Sequence, residues 1–304
     1  MMRGRVLFLL WGCVIFGSAG LARAETVVFE GTSPYHHILV VDRGTIRTLH
    51  FDNSTQSQMS LRNPLYGHFE YTEYFHMPWL WNDQIEDVLM IGLGGGSIQR
   101  AYQAYYPEVS SETVELDPKV VDVAKRYFHL METRKLKILI GDGRMHLRRA
   151  QKKYDLILLD AYTANRYGSY IPYALTTKEF FELADKRLSE NGVLAYNVMG
   201  TLRDRRESIV GSIYNTLKAS FPQVYMFPAI NSYNVVFVAT KSDEKLPLAE
   251  LEKRADALQE SKATGFPRFR LRLKRFRSAP PLSAARSRIL TDDFAPVDGM
   301  LKAE

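Results

Sequence analysis

The chain carries one cysteine, Cys13, and it lies inside an N-terminal apolar run. Everything after that run is cysteine-free, so it can form neither a disulfide nor a thiolate nucleophile. There is no P-loop lysine and no Gly-x-Gly-x-x-Gly, so the common signatures for ATP and for dinucleotide pyrophosphates are missing. The seven histidines show no His-x-x-x-His or His-Glu-x-x-His spacing, and adjacent His36 and His37 point to opposite faces of a strand. No metal centre is expected. Internal repeats and long disordered tracts are absent too. With 46% hydrophobic and 24% charged residues, the composition excludes a disordered, collagenous or polytopic membrane chain.

Residues 1 to 24 start basic (Arg3, Arg5), run apolar from Val6 to Leu21, and end Ala22-Arg23-Ala24 before Glu25. This is the layout of a secretory signal peptide with an A-x-A cleavage site, and export is expected, periplasmic in a Gram-negative cell. An uncleaved N-terminal anchor that leaves the domain on the same side of the membrane is the alternative. Leu10-Trp11-Gly12-Cys13 resembles a lipoprotein box, but Trp11 and the apolar run beyond Cys13 argue against lipidation.

Loss of this segment removes three arginines and no acid, which lowers the formal charge from +6 to +3. A second basic block, Lys262 to Arg277, holds seven cations and no acid, so the remainder carries −4. The alternation Arg-Phe-Arg-Leu-Arg-Leu in that block predicts a surface strand with one polar face, or an arm on an anionic membrane. Nucleic-acid binding is the least favoured reading of it.

Residues 25–84 read as a small antiparallel β-hairpin unit, with short alternating runs punctuated by Ser33-Pro34, Arg43-Gly44 and Asp52-Asn53. From residue 85 to 242 strands and helices take turns: VLMIGL, SETVELD, KLKILIGDG, YDLILLDAY and GVLAYNVMG are strands with helical stretches between them. That repetition predicts an α/β fold with a mostly parallel sheet and helices on both faces. Residues 243–304 carry a charged helix near 247 to 262, the basic block and a less regular tail.

The glycine run Gly92-Leu93-Gly94-Gly95-Gly96 follows a buried strand and opens a helix, where backbone can approach a ligand at the helix's positive end. Glu115 ends the next strand, placed to accept both hydroxyls of a ribose. Asp142 and Gly143 follow the third strand, where an aspartate can accept from an adenine amino group. Asp160 ends the fourth. These groups lie at carboxyl ends of strands in one sheet, the position of a ligand crevice, although Asp142 or Asp117 taken singly also reads as a helix cap. Without a pyrophosphate signature, the spacing favours a sulfonium nucleoside.

With these pieces in view, the chain resembles the spermidine synthase (polyamine aminopropyltransferase) family, in a divergent branch. The resemblance runs from about Ser33 to Val198, through FDNSTQ, Tyr71-Thr72-Glu73, His76-Met77-Pro78, IGLGGGS, VELD, GDG and YDLILLD, with a further match at LTDDFAPVD. It implies a β unit packed on a Rossmann-like, methyltransferase-type domain. It also implies transfer of an aminopropyl group from decarboxylated S-adenosylmethionine to a polyamine such as putrescine.

By the resemblance, Gly92, Gly94, Gly96, Glu115, Asp142, Gly143 and His76 hold the donor. Tyr71, Glu73 and Tyr162 hold the acceptor, and Asp160 is the catalytic aspartate. A homodimer is an open possibility for its assembly. The tyrosine-rich stretch from Ala161 to Thr176 reads as packing or a lid.

Three positions depart from the family pattern, one of them the glutamine near the start of the family's β unit, which is replaced here around His36 or His37. The family has a donor-gripping aspartate where this chain has Gly95, and a second catalytic-loop aspartate where it has Thr163. Each lost charge-assisted contact costs about 1.5–3 kcal/mol of binding. Two alternatives therefore stand beside aminopropyl transfer: a methyltransferase-like enzyme using intact S-adenosylmethionine, and an exported binding module without turnover.

Overall fold

The structure, a computed structural model, describes residues 25–165, 168–261 and 268–300. The expected signal segment at 1–24 lies outside the described residues, as does the start of the basic block, 262–267. No helix among the described residues is long and apolar enough to cross a membrane.

Four strands form the N-terminal sheet in the order β1-β2-β3-β4: β1 (Glu25–Thr32), β2 (His37–Arg43), β3 (Ile46–Phe51) and β4 (Ser54–Ser60). All three pairings are antiparallel. Alternation puts Ile38, Val40, Leu49, Phe51 and Met59 on one face. That face packs against Val120, Val123 and Phe128 of the larger domain. A 3₁₀ helix, Glu70–Leu80, then leads into the second layer.

The larger domain contains β5 (Asp87–Ile91), α1 (Ser97–Tyr105), β6 (Ser110–Glu115), α2 (Pro118–Tyr127), β7 (Leu136–Ile140), α3 (Gly143–Arg149) and β8 (Tyr154–Leu159). A short hairpin of β9 (Thr163–Asn165) and β10 (Gly168–Tyr170) follows. Next come α4 (Lys178–Arg187), β11 (Leu188–Met199), α5 (Ile209–Lys218), β12 (Gln223–Pro228) and β13 (Asn234–Thr240). The seven-stranded sheet runs β12-β13-β11-β8-β5-β6-β7, parallel except for β13, which is antiparallel to both its neighbours. This is the expected mostly parallel α/β sheet.

Strands β5 and β8 are apolar at almost every position because both of their faces are covered. Leu89, Ile91, Ile157 and Leu159 enter the core shared with α4 and α5. Val88, Met90, Leu156 and Leu158 enter the opposite core, shared with the 3₁₀ helix, α1, α6 (Leu248–Ser261) and α7 (Phe269–Leu273). Helix starts follow their sequence signals. Asp117 accepts from Lys119 N at 2.8 Å with Pro118 at the first position of α2, and Ser208 accepts from Gly211 N at the start of α5.

The basic block does not form the expected strand over its described residues. Phe269–Leu273 is a helix, and four residues of helical spacing bring Arg268 and Arg272 to one side. There Arg272 pairs with Glu70 at 2.9 Å and Glu73 at 2.6 Å, and Arg268 pairs with Glu73 at 3.1 Å. Arg270 faces Glu252 and Asp256 of α6, and Arg275 Nε donates to Pro228 O. Period-two alternation lost to tertiary charge pairing: the acids of the 3₁₀ helix and of α6 attract these arginines into the protein.

The LTDDFAPVD segment docks on the other face. Leu290 O accepts from Lys178 N, Leu290 N donates to Thr216 Oγ1, and Asp292 receives Arg144 and Thr177 Oγ1.

Candidate active site

Four strand ends, those of β8, β5, β6 and β7, lie side by side. Gly92 N donates to Val114 O, Gly141 N to Glu115 O, and Asp160 N to Ile91 O, each at 2.9 Å, so the sheet ladder continues to the last residue before each loop. With neighbouring strands about 4.8 Å apart, Glu115 on β6 and Asp160 after β8 sit about 10 Å apart across β5. That is the reach of a nucleoside with a short tail.

At one end, the Glu115 carboxylate accepts from Leu93 N and Asp117 N, both at 3.0 Å. Burial pushes its pKa up to about 7 despite these donors. At the other end, Asp160 Oδ2 accepts from Tyr71 Oη at 3.2 Å and Oδ1 from Asn197 Nδ2 at 2.9 Å. Burial raises Asp160 to about 6, with the Asn197 and Tyr71 hydrogen bonds acting against that rise. Tyr71 is itself pushed well up by burial and by the Asp160 charge, so its phenol stays protonated and donates.

Between the two ends runs the glycine loop. Gly92 has φ +101°, and a Cβ there would stand 2.2 Å from Asp160 O, so glycine is what allows β5 and β8 to open side by side. Gly94 and Gly96 continue the turn into α1. Gly95 N donates to Ser57 Oγ of β4 at 2.9 Å. A Cβ at position 95 would meet Ser57 Cβ at 2.9 Å and Phe128 Cδ1 at 3.0 Å, so the loop is closed against the N-terminal sheet and has no room for an aspartate. A small cavity opens beside it, lined by Gln56, Ser57, Tyr71, Thr72, Ser97 and Asp160 among others.

Several expected site residues are engaged elsewhere. His76 does not face the crevice: it is 2% exposed, its Nδ1 shares a hydrogen bond with Tyr106 Oη at 2.9 Å, and it stacks on Tyr102. Burial drives it down to about 3, so it is neutral. Glu73 is not free to hold an acceptor, because Arg268 and Arg272 occupy its carboxylate. Asp142 caps α3, accepting from Met145 N at 2.7 Å. Gly143 allows α3 to close on β5, since a Cβ there would lie 2.4 Å from Ile91 Cγ2. Tyr162 gives its hydroxyl to the backbone of β11, donating to Asn197 O and accepting from Met199 N. Thr163 opens the β9–β10 hairpin.

Conversely, Asn197, Ser57 and Thr72 escaped sequence reasoning. Asn197 had a signal, a lone amide inside the buried run LAYNVM; it is held in turn by Asn234 Nδ2 at 3.0 Å. Thr72 sat inside the Tyr71-Thr72-Glu73 match without being singled out, and Ser57 had no signal, because a small polar residue is ordinary in a hairpin.

Residues 68–250 match the spermine/spermidine synthase domain. A polyamine aminopropyltransferase of Vibrio vulnificus is 31% identical over 294 residues, covering 90% of this chain and 91% of its own. A solved spermidine synthase in complex with the transition state analogue AdoDATO superposes with a TM-score of 0.61 at 20% identity, over 76% of this chain and 78% of that one. Human methyltransferase-like protein 13 in complex with SAH gives 0.53 at 26% identity, over 63% and 89%.

Proposed function

Because the chain belongs to the spermine/spermidine synthase family, we propose that it transfers a group from an adenosyl sulfonium nucleoside to an amine, with Asp160 accepting the amine's proton. In the family's form the group is aminopropyl, the donor decarboxylated S-adenosylmethionine and the acceptor a polyamine such as putrescine. The observation that carries this reading is the Asp160 carboxylate, fixed by Tyr71 and Asn197 at the edge of the cavity and two strands from Glu115.

The chemistry follows from that placement. The amine lone pair attacks the carbon bonded to sulfur, the carbon–sulfur bond breaks, and its electrons leave on sulfur as a neutral thioether. The nitrogen becomes an ammonium as it attacks, and the proton it sheds goes to Asp160. A carboxyl near pKa 6 is mostly ionised at neutral pH yet still a competent base, and positioned bases of this kind contribute about 10²- to 10⁴-fold. Glu115 holds the ribose hydroxyls, and the sheet edge sets the in-line geometry.

Methyl transfer from intact S-adenosylmethionine is the second reading, favoured by the closed contact of Gly95 with Ser57, which leaves no aspartate to grip a donor amine. The chain from Glu25 onward, incubated with putrescine and each donor in turn, separates the two. Methylthioadenosine is the product of aminopropyl transfer and S-adenosylhomocysteine that of methyl transfer. Turnover by neither donor above that of Asp160→Asn defeats both and leaves a binding module. Export through residues 1–24 belongs to the same proposal; a protein recovered outside the cytoplasm should begin at Glu25.

A further inference from the structure

Asp160 receives two side-chain donors, and only one of them is fixed by its own chemistry. Tyr71 has a single O–H, whereas Asn197 carries a donor and an acceptor on one planar group that can face Asp160 either way round. Turned over, the amide would set its Oδ1 lone pairs against the carboxylate. What decides between the two orientations lies one strand further on. Strand β13 runs antiparallel to β11 with Val236 opposite Asn197 and Asn234 opposite Met199, so Asn234 is the diagonal neighbour of Asn197 on the same face. Its Nδ2 donates to Asn197 Oδ1 at 3.0 Å, and Asn197 Nδ2 donates to Asp160 Oδ1 at 2.9 Å. Both amides are buried, Asn197 1% exposed and Asn234 9%. The chain of donors has one direction. An ionised carboxylate only accepts, so Asn197 must present nitrogen, and its buried oxygen then needs a donor, which Asn234 supplies.

Asn234 is itself held by the turn before β13. Its backbone O accepts from Ala229 N at 2.8 Å, Gly200 N donates to Tyr233 O at 2.7 Å, and Ile230 N and Asn231 N donate to Glu70 Oε2 at 2.9 and 3.2 Å. Glu70 adjoins Tyr71, whose Oη is the other donor to Asp160. The contacts therefore close a ring, from Asp160 through Asn197, Asn234, the 229–233 turn and Glu70 back to Tyr71. The titratable groups that feel the Asp160 charge are Tyr71, on the 3₁₀ helix, and Tyr162, in the loop after β8, both phenols that burial keeps protonated. Strands β11 and β13 meet it with amides alone. Ionisation of Asp160 thus leans on neutral donors, and so on the way they point.

We propose that Asn234 is a positioning residue for the base: it locks Asn197 with the amide nitrogen toward Asp160, and so keeps the carboxylate supplied with a donor. The proposal rests on the reading of Asp160 as the base and adds to it a residue that acts only through Asn197.

Carbon-13 NMR of the Asp160 side-chain carboxyl, assigned by the signal lost in Asp160→Asn, reads its titration in the chain from Glu25 onward without substrate. Asn234→Ala and Asn234→Leu both remove the donor, and the second keeps the volume. In each, the Asp160 pKa should rise by at least about half a unit, because the charged form loses a hydrogen bond. The acidic limb of the pH–rate profile should rise with it, with kcat falling at neutral pH and KM for the donor changed by less than about twofold. With Asn197→Ala already present, Asn234→Ala should add no further shift, since the two amides act in series. An unchanged titration in a folded Asn234 variant, or an equal shift with and without Asn197, overturns the proposal. Loss of the fold in both Asn234 variants overturns it as well, since the role would then be structural. The expected shifts in a protein without turnover defeat the reaction reading alone and leave the positioning role standing.

Discussion

Replacing Arg272 by alanine should destabilise the whole protein and not only its C-terminal segment. Arg272 reaches both Glu70 and Glu73, on either side of Tyr71 in sequence, and all three of the paired side chains are at least nine-tenths buried. Removing one partner of a buried ion pair typically costs about 3–5 kcal/mol, because a desolvated charge is left behind. Here the lower figure applies. Glu73 keeps Arg268, and Glu70 keeps Tyr74 Oη at 2.8 Å together with Ile230 N and Asn231 N. About 3 kcal/mol corresponds to a fall in melting temperature of roughly 6–12 °C for a chain of this size.

Thermal unfolding followed by circular dichroism measures it, at low and at high salt. A buried pair is poorly screened, so the loss should persist in roughly 0.5 M salt. The acid dependence has a defined sign. Burial alone would push Glu70 up, but Tyr74, the Ile230 and Asn231 amides and Arg272 together hold it below the usual carboxylate value. Its contribution is therefore present above the unfolded pKa and lost as pH falls through the lowered folded one, so wild type and variant should converge in acid. A drop of less than about 2 °C at pH 7, or one abolished by salt, would show that the pair is a surface contact and refute the clamp.

Four further outcomes follow from the site. Asp160→Asn should abolish turnover and yet raise stability by about 1–3 kcal/mol above pH 6, because the folded pKa is raised and the ionised carboxylate is what burial penalises; urea unfolding across pH 4 to 8 reads it, and equal stability at pH 7 would contradict it. Asn197→Ala removes a donor to the ionised carboxylate, so the acidic limb of the pH–rate profile should move above about 6; an unmoved limb rules out tuning by Asn197. Gly92→Ala forces a Cβ onto Asp160 O at a positive φ, and should cost at least about 1–3 kcal/mol in a melting experiment and most of the activity; wild-type behaviour would mean that β5 and β8 can separate freely. His76→Phe should retain near-wild-type affinity for methylthioadenosine, since the ring sits among Tyr102, Tyr105 and Tyr106; a tenfold loss would return His76 to the donor.

The sheet, and the place of Asp160 and the glycine loop at its edge, were legible in sequence because both are local. VLMIGL and YDLILLD are doubly buried strands, and the residue that follows a parallel strand in such a fold falls at the crevice, which placed Asp160 and the glycine loop. Glu73 and the basic block were misread for one shared reason: Glu73 and Arg272 are 199 positions apart, and nothing local in either segment announces the other. His76 failed similarly, since the tyrosines that enclose it belong to the end of α1. Asp142 had a competing local reading, the helix cap, and that is how the structure uses it.

The clamp on the 3₁₀ helix also sets an order of assembly. A nascent chain released as far as residue 240 already contains every strand of both sheets and every residue that lines the cavity. Tyr71 at that stage rides on a segment whose two flanking acids still lack their buried cation. The edge that carries Tyr71 and Asp160 is thus among the last parts to become rigid, and it does so only when Arg272 arrives. A protein truncated after α6 would keep its sheet and lose the buried cation that holds the segment on either side of Tyr71.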